Sequence, residues 1–159
     1  MTETPIAAAL AVLQAKVGQQ VHLSDWMTVT QDRINAFADA TLDRQWIHVD
    51  VERAHRESPF GAPIAHGFLT LSLMVPLRGL VEADTPIAPG VRNVVNYGLN
   101  KLRFANPVRA GARIRGRFVL VAVEQVAPSV LQITEQYTAE IDGETKPACI
   151  AESLMRLVF

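Results

Sequence analysis

Gly67-Phe68-Leu69-Thr70-Leu71-Ser72-Leu73-Met74-Val75-Pro76-Leu77-Arg78-Gly79-Leu80-Val81 is nearly all apolar. Phe68, Leu69, Leu71, Leu73, Met74, Val75, Leu77 and Leu80 leave no polar stripe at helical spacing. A helix that is apolar all round is expected to be buried all round. Pro76 lacks the N–H that would bond the Ser72 carbonyl, so the helix is expected to bend there. The stretch is shorter than the roughly 18 residues that span a bilayer, so its cover has to come from the rest of the chain.

Downstream the period changes to two. Residues 97–104 place Asn100, Leu102 and Phe104 on one face, and residues 113–123, 130–141 and 148–158 alternate in the same way. Residues 107–111, 125–129 and Asp142-Gly143 are the turns, the last a tight hairpin. Upstream, residues 23–29 form a short strand. Thr30 caps a helix over residues 31–41 that carries Ile34, Phe37, Ala38 and Thr41 on one face. Residues 42–49 lack a helical stripe, and residues 50–57 form a short helix stopped by Ser58-Pro59. No repeat or linker interrupts residues 1–159, which are expected to form a single domain. A helical front and a strand-rich back imply an α+β fold. One antiparallel sheet wrapped around the helix of residues 67–81 would bury both.

Composition narrows the function. Hydrophobic residues make up 49% of the chain, enough for a core, and the net charge of -1 with pI near 6.4 provides no basic field for nucleic acid or anionic membrane. Arg113, Arg115 and Arg117 alternate with Ile114 and Phe118, which makes them the outer face of a strand. Cys149 is the one cysteine, so no internal disulfide or cysteine zinc cage can form, and its apolar neighbours suggest a buried thiol. A cytoplasmic location follows as the expectation. Residues 1–13 read as a short helix, because Ile6 to Leu13 is apolar but no basic segment precedes it.

His22, His48, His55 and His66 show no pair four apart on a helix, and no metal site is expected. Asp43 and His48, five apart, would diverge by about 140° on a helix and point to opposite faces of a strand. They meet only if the segment bends, and Trp46 and Ile47 suggest that it is packed down. By spacing alone, a turn aspartate and a core-edge histidine explain the two residues better than a catalytic pair does. Ala65-His66-Gly67 opens the apolar helix, where unpaired N–H groups favour developing negative charge. An ordinary glycine at a helix start explains Gly67 equally well.

Residues 41–50, Thr-Leu-Asp-Arg-Gln-Trp-Ile-His-Val-Asp, and residues 59–67, Pro-Phe-Gly-Ala-Pro-Ile-Ala-His-Gly, resemble the MaoC-like, (R)-specific enoyl-CoA hydratase family. The likeness is to the branch that contains nodulation protein N and bacterial 3-hydroxyacyl-thioester dehydratases. Residues 96–104, Asn-Tyr-Gly-Leu-Asn-Lys-Leu-Arg-Phe, with Pro107-Val108, match that branch as well, and the similarity covers nearly the whole chain. Two positions depart from the common pattern: Leu42 stands where glycine often precedes the aspartate, and Gln45-Trp46 where Asn-Pro is frequent. The resemblance implies the hot-dog fold and reversible hydration of trans-2-enoyl thioesters to (R)-3-hydroxyacyl thioesters. Asp43 would be the principal base, His48 would orient the water, and the Gly67 N–H would polarise the thioester carbonyl. It also implies a homodimer joined edge to edge, with coenzyme A or an acyl carrier brought by the substrate and no metal or bound cofactor. A hot-dog thioesterase and a non-catalytic acyl-thioester-binding protein are the alternatives.

Overall fold

The computed structural model describes residues 4–80 and 86–159. Thr4 caps α1 (Pro5–Gln14), whose Ala9 and Leu13 are buried. α2 (Gln31–Thr41) has the predicted bounds, because the Thr30 hydroxyl accepts the Arg33 N–H and Ile34 and Ala38 face the core. Two short helices follow, α3 (Trp46–Val49) and α4 (Val51–Glu57), the second capped by the Asp50 carboxylate on the Arg53 N–H.

The expected strand over residues 23–29 divides into β1 (Gln20–Leu23) and β2 (Met27–Thr28). Ser24 ends the first piece: its hydroxyl accepts the Gly116 N–H, so a side chain stands in for the next rung of the backbone ladder. The four later strands are β3 (Asn93–Phe104), β4 (Arg113–Ala127), β5 (Val130–Ile141) and β6 (Cys149–Val158). All pair antiparallel in the order β1-β4-β5-β6-β3, with β2 also on β4. The sheet therefore has six strands, where the sequence pattern suggested five.

The apolar stretch is two short helices rather than one long one: α5 (Gly67–Ser72) and α6 (Met74–Arg78), broken at Leu73. The break falls where Pro76 withholds its N–H from Ser72, and the Ser72 hydroxyl turns back to the Phe68 carbonyl at 2.7 Å. Gly79, at φ 72°, ends the second helix in the left-handed conformation. Residue 81, the expected end, lies outside the described residues. Burial is also one-sided. Leu69, Leu73, Met74 and Leu77 meet Ile114, Phe118, Tyr137 and Ala151 of the sheet, whereas Phe68 is 63% exposed. A second apolar cluster lies under α1, where Ala9 and Leu13 cover Leu120, Leu131, Ile133 and Leu157.

This is the hot-dog arrangement, a curved antiparallel sheet around a central helical segment. Two buried polar contacts lock the segment to β5. The Tyr137 hydroxyl donates to the Thr70 carbonyl at 3.1 Å, and Arg78 makes a two-pronged ion pair with Glu135 at 2.8 and 2.9 Å. On the outer face Arg115 and Arg117 both pair with Glu140, and Arg113 pairs with Asp142, which accounts for the arginine run without an anionic partner. Cys149 is buried, and desolvation pushes its thiol up to about 11. Among the described residues no helix is long and apolar enough to cross a membrane.

Candidate active site

Asp43 and His48 do meet, and the bend that brings them together starts at Leu42. This residue closes α2 at φ 64°, the left-handed region that favours glycine, and its side chain is 72% exposed. The common glycine at this position thus has a conformational reason, and Leu42 adopts the same conformation with a Cβ. The chain then runs through Asp43 and Arg44 to Gln45, whose ψ of 137° starts α3 in a new direction. The single helical turn of α3, absent from the periodicity reading, carries His48 inward while Trp46 and Ile47 stay half-buried. Arg53 stacks over the Trp46 ring at 4.2 Å.

His48 is held on two sides. Its Nδ1–H donates to the Ile64 carbonyl at 2.6 Å, because a carbonyl can only accept. That assigns the neutral tautomer and leaves Nε2 as a bare acceptor. The Gln31 side-chain amide donates to the His48 carbonyl at 2.7 Å and to Asn35 at 2.9 Å, tying α2 to α3. Burial lowers the pKa of His48, and the neighbouring His66 lowers it further. The Ile64 hydrogen bond and the Asp43 charge act in the opposite direction without cancelling the effect. His48 is thus disposed to be a neutral base.

His66, named in the sequence only as part of the helix opening, completes the cluster. Its Nε2–H donates to the backbone carbonyl of Asp43 at 2.9 Å, and its ring stacks on His48 with centroids 3.8 Å apart and planes 24° from parallel. One oxygen or nitrogen from each of Asp43, His48 and His66 lies within 4.8 Å of the other two. Three such groups raise the question of a metal ion, although none was expected from the spacing. His66 Nε2 carries the proton it donates to the Asp43 carbonyl, so that nitrogen has no lone pair for an ion, and the trio gathers hydrogen-bonding groups at one place.

Gly67 is the first residue of α5, directly after His66. The space its Cβ would fill is taken by the Phe104 ring, with the nearest carbon at 2.6 Å. Glycine is therefore required for packing against β3, a reason independent of any ligand. Of the other histidines, His22 lies against Phe118 at 5.8 Å, and the exposed His55 meets the Gly61 carbonyl at 3.2 Å. Sequence reasoning missed Gln31 and the role of His66. The only signal for either was a polar residue on the inward side of a helix start.

A shallow groove of about 330 Å³ runs between the central helical segment and β3, lined by Leu71, Met74, Val75, Tyr97 and Leu99 among others. Among the described residues β3 is a free sheet edge, and Val95, Tyr97, Leu99 and Phe104 are exposed along it, with Phe68 beside Phe104.

Comparison with known proteins identifies the family. Residues 12–141 match the family model for the MaoC like domain. The chain is 48% identical over 150 residues to 3-hydroxyacyl-thioester dehydratase Z of Mycobacterium tuberculosis, covering 94% of this chain and 96% of that protein. It is 44% identical over 151 residues to nodulation protein N of Rhizobium leguminosarum bv. viciae, covering 95% and 92%. The fold is shared with the (R)-hydratase from A. caviae involved in PHA biosynthesis, at a TM-score of 0.70 and 23% identity over 89% of this chain and 96% of that one. The chain belongs to the MaoC-like domain family.

Proposed function

We propose that the protein catalyses the reversible hydration of trans-2-enoyl thioesters to (R)-3-hydroxyacyl thioesters. The observation that carries this reading is an exposed carboxylate and a buried imidazole with donor or acceptor atoms within 4.8 Å of each other, the imidazole tied through Nδ1 to a backbone carbonyl. Near-full-length identity to a 3-hydroxyacyl-thioester dehydratase supports it.

In the hydration direction Asp43 is the principal base. It takes a proton from the water as the water oxygen bonds to the β-carbon, and His48 Nε2 orients that water and helps to shuttle the proton. A proton is delivered to the α-carbon, so the elements of water add across the double bond and dehydration is the same path reversed. The N–H of Gly67, at a helix start, polarises the thioester carbonyl as its oxygen gains charge. The groove beside β3 receives the acyl chain. Coenzyme A or an acyl carrier is the handle of the substrate, and the chemistry requires no metal or cofactor.

The active form is a homodimer, a proposal supported by the apolar free edge of β3, which would template aggregation if left uncovered. A cytoplasmic setting suits both the substrate and the single buried thiol.

The test is a series of trans-2-enoyl-CoAs of increasing chain length, with product chirality determined. The expected result is loss of the conjugated double bond and formation of the (R)-3-hydroxyacyl product. Release of free thiol would instead make the protein a thioesterase, and binding without turnover would make it an acyl-thioester-binding protein.

A further inference from the structure

The Asp43 segment has little of its own to hold it. Asp43 and its neighbours Leu42, Arg44 and Gln45 are all exposed. The Arg44–Asp39 ion pair at 3.0 Å is solvent-facing, the kind that contributes little. The contact from the Asp43 N–H to the Thr41 hydroxyl, at 3.5 Å, is at the limit of a hydrogen bond. Those two contacts reach back only to the end of α2; the tie from a distant part of the chain comes from His66, 23 residues away.

His66 is 3% exposed and wedged between two rings, Phe37 at 5.0 Å and His48 at 3.8 Å. The wedge fixes the ring plane and aims Nε2–H at the Asp43 carbonyl. Its other nitrogen, Nδ1, is buried with no hydrogen-bond partner among the described residues. The ring therefore spends its one protein hydrogen bond on the backbone of Asp43 and its flat face on His48.

We propose that His66 is a positioning residue that fixes the Asp43 backbone and the His48 ring relative to each other, so that both reach the same water. It acts through those two groups and does not itself exchange a proton with substrate. The inference rests on the hydratase reading for its kinetic consequence and on geometry alone for its structural one.

Three variants separate the possibilities. His66→Phe keeps a flat ring and loses the donor, His66→Gln keeps an amide N–H at about the reach of Nε2, and His66→Asn falls one bond short. In trans-2-enoyl-CoA hydration His66→Phe should lose roughly 10- to 100-fold in kcat, the scale of a misplaced catalytic group, with KM changed by less than about threefold. His66→Gln should recover most of that loss and His66→Asn little of it. Independently of turnover, amide hydrogen exchange at residues 42–45 should speed up in His66→Phe and His66→Asn and stay near wild type in His66→Gln.

A wild-type protein that fails to hydrate any enoyl thioester overturns the functional reading, and the exchange measurement then decides the tie on its own. If His66→Phe does not fold, the comparison of His66→Gln with His66→Asn carries the test. Equal kcat and equal exchange across the folded variants would overturn the proposal.

Discussion

The two ends of the central helical segment both carry buried polar side chains, and they use them in opposite ways. At the far end Arg78 meets Glu135 through two hydrogen bonds, with side chains 13% and 2% exposed, and the pair faces inward on β5 with its charges matched. At the near end His48 and His66 each donate one N–H to a backbone carbonyl and keep the other nitrogen without a partner among the described residues, beside an exposed carboxylate. The first cluster matches charge with charge and ties the helical segment to the sheet. The second retains lone pairs at a cost in desolvation, which is a poor way to stabilise a protein and a useful way to handle a proton.

The comparison breaks most visibly if the near end proves structural. His48→Ala and Asp43→Asn should each lose about 10²- to 10⁴-fold in hydration rate, the range of a positioned acid or base, in protein that still folds. A large fall in melting temperature with normal activity would assign those residues to the fold.

The far end should respond in the reverse sense. Arg78→Met leaves the Glu135 carboxylate buried and unpaired, and unfolding by urea should show a loss of about 3–5 kcal/mol, with turnover preserved in the folded fraction. Replacing both partners, Arg78→Met with Glu135→Leu, should recover most of that stability, since matched apolar groups replace a buried pair at little cost. A double variant as weak as the single would mean that the ion pair does more than fill its site.

Titration sharpens the contrast. Burial lowers the pKa of His48, with His66 adding to the effect. The folded state therefore binds a proton at His48 less readily than the unfolded chain does. Its contribution to stability is present above 6.5 and is lost as pH falls through the lower folded value. An NMR titration of the His48 ring, assigned by its absence in His48→Ala, should give a midpoint below 6.5. A midpoint above that would show that the Asp43 charge outweighs desolvation, and that His48 enters the reaction as an acid.

How far the sequence revealed each end differs too. α2 and β5 have the bounds that periodicity and the Thr30 cap indicated, because those signals are local. Asp43 and His48 were legible as a motif, but the conformation that joins them was not: it depends on a left-handed Leu42 and one turn of helix too short to show a stripe. The Arg78–Glu135 pair spans 57 positions and Gln31–His48 spans 17, and no period links residues so far apart. Glu135 did leave a trace, as a charge on the inward register of an alternating strand, which calls for a buried partner without saying which. The break at Leu73 was half legible, since Pro76 announced a bend and its place depended on the packing.

The smallest expected effect concerns Leu42. An L-residue in the left-handed region costs roughly 1–2 kcal/mol, partly offset by the greater freedom glycine has when unfolded. The side chain is exposed, so Leu42→Gly loses no packing. Stability should rise by about 0.5–1 kcal/mol, a shift of about 1–4 °C in Tm, with hydration unchanged. A drop in stability would mean that the Leu42 side chain has a contact worth more than its backbone strain.

The central claim is that Asp43 and His48 act on one shared water, and a double-mutant cycle on hydration of a short trans-2-enoyl-CoA tests it most directly. Wild type, Asp43→Asn, His48→Ala and the double variant are compared under one condition, with thermal melts to confirm folding. If the pair shares a water, removing either partner already destroys the arrangement, and the double variant is little slower than the poorer single. If instead the two losses multiply, the residues work independently and the shared-water mechanism is wrong.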